Sequence, residues 1–140
     1  MKLANLDNIL NIFTKSDEEV VKEELAETND LYNFNKGIRG VYNYRFLNEI
    51  ASNRRPDVYP RIKEAVKKSY FDKMFGYIAN SDYSNKEIID STLAELGYEV
   101  VLECINQLLD HFVELEEYEK CAILRDVNGM FNSQIKKKVK

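Results

Sequence analysis

The chain has 140 residues, a net charge of −4 and a hydrophobic fraction of 44%. This length predicts one domain over residues 1–140, and the composition excludes a disordered chain. No apolar run approaches the roughly 20 residues that cross a bilayer, and the start lacks a signal-peptide core. We therefore expect a cytoplasmic protein that does not enter a membrane. Only five glycines and two prolines interrupt the chain, which favours long helices over a turn-rich sheet.

The first 29 residues predict two helices. Apolar side chains recur at steps of three and four over residues 3–13, which is one face of a helix. Ser16 and Glu19 then have the spacing of a capping box, in which each side chain binds the other residue's backbone N–H. A second helix is expected from this box to about Asn29.

Residues 33–40 contain two asparagines and two glycines, and this composition predicts a break between helices. The next segment, residues 41–47, is ambiguous because its aromatic content also suits a strand. We favour a helix there, since no partner strand is found nearby. Gly37 to Gly40 also matches the GxxG loop of KH domains, although the strand expected before that loop is missing.

Residues 54–60 predict a second break, after which Pro60 fits the first turn of a new helix. Apolar spacing continues this helix to about Asn80. A second capping box, formed by Ser84 and Glu87, is expected to open a short helix that ends near Leu96.

The strongest pattern lies in the last third of the chain. Apolar residues repeat with helical spacing from Tyr98 to Leu115, and again from Tyr118 to Phe131. A polar corner, residues 116–117, separates the two faces. Helices joined by short connections usually pack antiparallel, so we expect a long antiparallel hairpin over residues 98–135. The sequence thus predicts an all-α fold: a small bundle of five to seven helices that ends in this hairpin.

The corner resembles the UVR motif, a short helical hairpin found in the excision-repair proteins UvrB and UvrC and in some protease-associated adaptors. The matching positions are an aromatic-Glu pair, two small residues and a Leu-Arg-Asp run, here Tyr118-Glu119, Cys121-Ala122 and Leu124-Arg125-Asp126. Asn128 and Gly129 depart from the family pattern. The resemblance covers about 35 residues and implies association with another hairpin, with no catalytic role.

No pattern of residues points to catalysis or to a cofactor. His111 is the only histidine, and a closed metal site with Asp110 and Glu114 would need two more ligands. Neither a Walker pattern nor a GxGxxG loop occurs. Cys104 and Cys121 form no CxxC pair, and we expect both to be small buried side chains. We therefore expect a protein that is not an enzyme and has no cofactor or metal.

Charge is distributed in blocks along the chain. Residues 36–73 carry ten basic and four acidic side chains, whereas residues 74–128 carry three basic and twelve acidic ones. Within residues 39–73, aromatic residues alternate with bases, a pattern that suits nucleic acid because bases neutralise phosphates and aromatic rings stack on nucleobases. The same aromatics also fit an apolar helix face, and the acidic blocks offer internal partners. The candidate nucleic-acid-binding residues are Arg39, Arg45, Arg54, Arg55, Arg61, Lys67 and Lys68.

The leading functional hypothesis is a non-enzymatic interaction, assembly or adaptor protein that acts through its C-terminal hairpin. Its partner would be another protein or a second copy of itself. Short lysine- and asparagine-rich helical chains also resemble accessory or structural proteins of viruses and mobile elements. A nucleic-acid-associated protein is the alternative hypothesis. The candidate interaction residues are Leu102, Ile105, Leu109, Phe112, Tyr118, Ala122, Leu124 and Phe131.

Overall fold

A computed structural model of the chain describes residues 30–139, and the side chains as far as residue 136. This range contains helices and no strand, so the predicted all-α class is confirmed for it. None of these helices is both long and apolar enough to cross a membrane. The helices predicted over residues 3–13 and 16–29 lie outside the described residues. The five helices that are described are α1 (Asp30–Arg54), α2 (Tyr59–Ala79), α3 (Lys86–Leu96), α4 (Tyr98–Glu114) and α5 (Tyr118–Val139).

The break predicted over residues 33–40 is wrong, because α1 continues through it without interruption. Its two glycines are places where α1 approaches α2. A Cβ on Gly37 would lie 2.6 Å from Ile78 Cγ1 and 2.7 Å from the backbone oxygen of Met74. A Cβ on Gly40 would overlap the Met74 side chain. Helix packing therefore outweighs the low helix propensity of glycine here.

The connection between α1 and α2 lies where the sequence predicts it. Four residues, 55–58, separate the two helices, and the backbone N–H of Tyr59 donates to the carbonyl oxygen of Arg55 at 2.8 Å. Pro60 occupies the first turn of α2, where its missing N–H removes no helical hydrogen bond. The Tyr59 hydroxyl donates to Asn48 Oδ1 at 2.5 Å. This bond ties the start of α2 back to α1.

Helix α3 begins one residue later than predicted. Asn85, and not Ser84, is the N-cap: its side chain accepts from the backbone N–H of Glu87 at 2.9 Å. The Ser84 hydroxyl donates instead to Asp82 Oδ1. Gly97 then separates α3 from α4 with a φ of 84°, a conformation that a residue with a side chain rarely adopts.

The core is formed by the faces that the helices turn toward one another. Helix α1 packs against α2, α3 and α4, while α5 packs against α3 and α4. Edge-on ring contacts link α2 to α4: Phe71 to His111 at 4.9 Å and Phe75 to Phe112 at 5.3 Å. Phe34 of α1 lies 5.8 Å from Phe131 of α5. These contacts place the end of α4 directly beside α2.

Both cysteines are fully buried, as the sequence predicts. Cys104 lies on α4 and Cys121 on α5, and neither is in a disulfide. Burial, and then the nearby Glu103 charge, raise the pKa of Cys104 to about 12. Its thiol is therefore protonated and unreactive in the folded chain.

The close approach of α1 and α2 is testable with matched glycine substitutions. We expect Gly37→Ala to lower the free energy of unfolding by roughly 1–3 kcal/mol, because its Cβ would force the helices apart. Gly76→Ala is the control, since a Cβ there meets no atom within 4 Å. It should instead stabilise α2 by about 0.5–1 kcal/mol. Urea unfolding of both variants measures the difference, and equal effects would contradict the assigned role of Gly37.

Candidate interaction surface

The eight predicted interaction residues divide into core and surface positions. Leu102 and Leu109 are half-buried, Ala122 is exposed, and the Tyr118 side chain is 60% exposed. The other four are buried within the chain, at 0–1% exposure, and so contact neighbouring helices: Ile105, Phe112, Leu124 and Phe131. Half of the predicted interaction residues therefore belong to the core of the chain, and two others, Tyr118 and Ala122, are exposed.

Two exposed side chains near the end of α4 are missing from the candidate set. Val113 is 44% exposed and Leu115 is 41% exposed. Val113 lies one helical turn after Leu109, so helical spacing was the available signal. The candidate residues were chosen along the apolar face that turns out to be mostly buried, and this choice left out Val113. We call the exposed apolar residues at the turn and in the first turn of α5 the corner surface, defined by Leu115, Tyr118 and Ala122; Val113, two residues before Leu115, lies about 200° around α4 from it.

A Schellman-type turn positions the corner surface between α4 and α5. The backbone N–H of Glu117 donates to the carbonyl oxygen of Phe112 at 2.8 Å, and that of Glu116 donates to Val113 at 3.0 Å. Glu116 has a φ of 60°, in the left-handed region that glycine usually occupies in this turn. The two bonds fix the direction in which α5 leaves α4.

Lys120 ties the turn to α2. Its ammonium lies 3.0 Å from Asp72 Oδ1 and 3.3 Å from Glu117 Oε1, and 4.8 Å from the centre of the Phe112 ring. Burial acts to raise the pKa of Asp72, but hydrogen bonds from Lys120 and Lys68 outweigh it and hold that pKa below its ordinary value. Charge-assisted hydrogen bonds from Lys120 to Asp72 and to Glu117 thus fix the first turn of α5.

Acidic side chains outnumber basic ones near the corner surface. Lys120 is engaged by Asp72 and Glu117, so its charge is balanced within the chain. Arg125 is the exposed base on the outward side of α5. The exposed acids in this region are Asp110, Glu114, Glu116, Glu119 and Asp126. The corner surface is therefore apolar at its centre and carries more acidic than basic side chains at its edge, although Lys67 and Lys68 line the cavity that Leu115 borders.

A cavity of about 270 Å³ lies beside the corner surface, between α2 and the end of α4. His111 is 7% exposed, packs edge-on against Phe71, and its Nε2 has no hydrogen-bond partner among the described residues. Burial, then the charge of Lys67, lower the pKa of His111 below its ordinary value. The imidazole is therefore neutral near pH 7. The cavity is lined by Glu64, Ala65, Lys67, Lys68, His111, Glu114 and Leu115.

Among residues 30–139, no three His, Cys, Asp or Glu side chains converge as metal ligands. Within the proposed trio, His111 is buried whereas Asp110 and Glu114 are exposed. The cavity brings His111 and Glu114 together but does not include Asp110.

The candidate basic residues differ in what their charges contact. Arg39 forms an ion pair with Glu95, Arg55 with Asp57 at 3.8 Å, and Lys68 with Asp72 at 3.0 Å. Two others lie over aromatic rings: Arg45 is 5.0 Å from the centre of Phe46, and Lys67 is 5.7 Å from that of Phe71. Arg54 and Arg61 are exposed. The Gly37–Gly40 match to a KH loop is wrong, because those residues are helical.

A second exposed apolar region lies on α1. Tyr42, Phe46 and Ile50 recur every four residues, and their side chains are 39%, 46% and 40% exposed. The Tyr42 and Phe46 rings meet edge-on at 6.5 Å. We call these three residues the α1 stripe. Helical spacing assigns Phe46 and Ile50 to an apolar face of α1, but only the packing of α1 shows that no described helix covers that face.

Comparison with protein-family models, with curated proteins and with solved structures finds no match to this chain.

The left-handed residue in the turn gives a stability prediction. We expect Glu116→Gly to raise the free energy of unfolding by about 1 kcal/mol, because glycine adopts this conformation without the clash of a Cβ. Glu116→Ala is the matched control, since it removes the carboxylate but keeps the Cβ, and it should give no such gain. Thermal and urea unfolding measure both. A gain of equal size in the alanine variant would attribute the effect to charge.

The buried imidazole gives a pH prediction. The lowered pKa of His111 means that, just below pH 6.5, the unfolded chain binds a proton that the folded chain does not. The free energy of unfolding should therefore fall as the pH drops below about 6.5. His111→Phe keeps an aromatic ring against Phe71 and Phe112 but cannot titrate, so its stability should fall less between about pH 7.5 and 5.5. The pKa of Asp72 is lowered from 3.8, so its contribution is lost at lower pH in both proteins. Parallel pH profiles would contradict the role of His111.

Proposed function

We propose that the protein is a non-enzymatic interaction or assembly protein, and that the corner surface is where it binds another protein. The observation that carries this proposal is the exposure of two large apolar side chains, Leu115 and Tyr118, at one turn. Their exposed fractions are 41–60%. Binding them to another surface would remove apolar area from water, which is the main favourable term in protein association.

The proposal treats α4 and α5 as an antiparallel hairpin. Two contacts support that arrangement. The Tyr98 hydroxyl, at the start of α4, donates to Asn132 Oδ1 late in α5 at 2.9 Å. Lys120, early in α5, lies over Phe112 near the end of α4. The resemblance to the UVR motif adds support, because hairpins of that kind associate with other hairpins.

The positions of the UVR-like residues also fit association. Cys121 and Leu124 are buried against the rest of the chain, whereas Tyr118, Ala122 and Arg125 are exposed. A small residue such as alanine lets a second helix approach closely. Tyrosine and arginine are enriched among the residues that dominate binding energy at protein interfaces.

The rigidity of the turn favours binding further. The Schellman-type bonds and the Lys120 bridge hold Tyr118 and Leu115 before any partner arrives. A surface that is already ordered loses less conformational entropy when it binds. The adjacent cavity, bordered by Leu115, gives the corner surface a concave side in which a partner side chain could be enclosed.

A nucleic-acid-associated role is the second candidate. It is favoured by the exposure of Arg54 and Arg61 near the connection between α1 and α2. Among the aromatic side chains of the basic block, Tyr59, Tyr70 and Phe71 are 1–3% exposed and cannot stack on bases. Tyr42 and Phe46 are exposed. Binding through phosphates alone would weaken steeply as salt rises. Absence of binding to single- and double-stranded oligonucleotides at low salt would exclude this role.

Partner capture by the tagged full-length chain, under native conditions, tests the main proposal. We expect the double variant Leu115→Ser, Tyr118→Ala to lose any partner that the wild type retains, because truncating an interface anchor costs about 2 kcal/mol, or roughly 30-fold in affinity. Tyr32→Ala is the control, since Tyr32 is 39% exposed but lies on α1. Circular dichroism should show the same helix content in all three proteins.

Two results would contradict the proposal. The first is retention of the same partners by the double variant at unchanged yield. The second is recovery of no partner by the wild type, together with a monomeric mass at high micromolar concentration.

A further inference from the structure

The acidic edge of the corner surface limits what it can bind. If two corner surfaces met face to face, Glu114, Glu116 and Glu119 of one chain would approach the same residues of the other. Like charges brought together at an interface oppose binding. A symmetric contact between two corner surfaces is therefore unfavourable. The complementary surface must be apolar at its centre and basic at its edge.

The α1 stripe has those properties. Its three members are apolar and 39–46% exposed. The guanidinium of Arg45 lies over the Phe46 ring, and Arg54 is exposed one helical turn after Ile50. Glu49 is the acid among these positions. The α1 stripe thus carries excess positive charge, whereas the corner surface carries excess negative charge.

The two surfaces face away from each other within one chain. Tyr44 packs on Phe71 at 4.9 Å, and Phe71 packs on His111, beside the corner surface. Tyr42 and Phe46 are each two residues from Tyr44, which is about 200° around a helix. The α1 stripe therefore lies on the side of α1 opposite to the aromatic contacts that lead to the corner surface. A chain cannot place its own corner surface on its own α1 stripe.

We propose that the corner surface binds the α1 stripe of a second copy of this chain. This inference rests on the proposed function and names its partner. Tyr118 and Leu115 of one copy would pack on Phe46 and Ile50 of the next, with the acidic edge facing Arg45. Each copy then has one donor surface and one acceptor surface, so the contact is heterologous. Such contacts build rings when the rotation closes and open filaments when it does not.

A complementation experiment with two variants of the full-length chain tests the inference. Phe46→Asp blocks the α1 stripe and leaves the corner surface intact, while Tyr118→Asp does the reverse. Each variant alone should sediment as a monomer of 16.4 kDa. An equimolar mixture should form a heterodimer of twice that mass and nothing larger, because the mixture contains one intact pair of surfaces. The wild type should form larger species as its concentration rises.

The salt dependence of association and a control variant provide two further tests of the contact. Wild-type association should weaken at high ionic strength, because the charged edges are exposed to screening. Tyr32→Asp, an exposed position on α1 outside the stripe, should associate like the wild type. Both test positions are exposed, at 46% and 60%, so the variants should keep their helix content and melting temperature.

The outcomes separate the inference from the function on which it rests. Self-association that survives Phe46→Asp, or a mixture that stays monomeric, overturns the α1 stripe as the binding site. If the wild type stays monomeric but retains a Tyr118-dependent partner, the inference fails and the proposed function stands. If the wild type stays monomeric and retains no partner, both fail.

Discussion

The close contact between α1 and α2 is the constraint on which the other helix positions depend. Since Gly37 and Gly40 lack side chains, α2 lies near enough for the Tyr70 hydroxyl to donate to the carbonyl oxygen of Gly40 at 2.9 Å. This contact sets the direction of α2, and with it the place of Asp72. Asp72 in turn holds Lys120, at the start of α5. The position of the turn between α4 and α5 thus depends on two glycines on another helix.

Local sequence patterns were sufficient to predict helix ends and turns where tertiary packing does not override them. The ends of α2 and the short turn between α4 and α5 follow from proline, polar residues and apolar spacing within a few positions. The continuity of α1 could not be predicted in this way. Glycine disfavours a helix by its intrinsic propensity, and only the tertiary contact with Met74 and Ile78 explains its presence there. Serine and asparagine are similarly favourable at an N-cap, so the local sequence alone did not decide whether Ser84 or Asn85 caps α3.

The candidate site was harder to predict than the fold, because exposure is a property of packing. Helical spacing identified the apolar face of α4 and α5, yet it could not separate Phe112, which is buried, from Tyr118, which is exposed. The same spacing placed Phe46 on an apolar face without indicating that no described helix covers it. The acidic charge around the corner surface could be read directly from the sequence. Its significance appears only when the α1 stripe is seen on the opposite side of the chain.

The two buried cysteine thiols can be used to detect local opening of the C-terminal helices. Cys104 and Cys121 lie on consecutive helices, both inaccessible to solvent. A thiol-specific reagent can therefore modify them only while α4 or α5 is detached from the interior, and the labelling rate reports the free energy of that opening. Because the chain contains no tryptophan, this chemical signal would follow the C-terminal helices where indole fluorescence cannot.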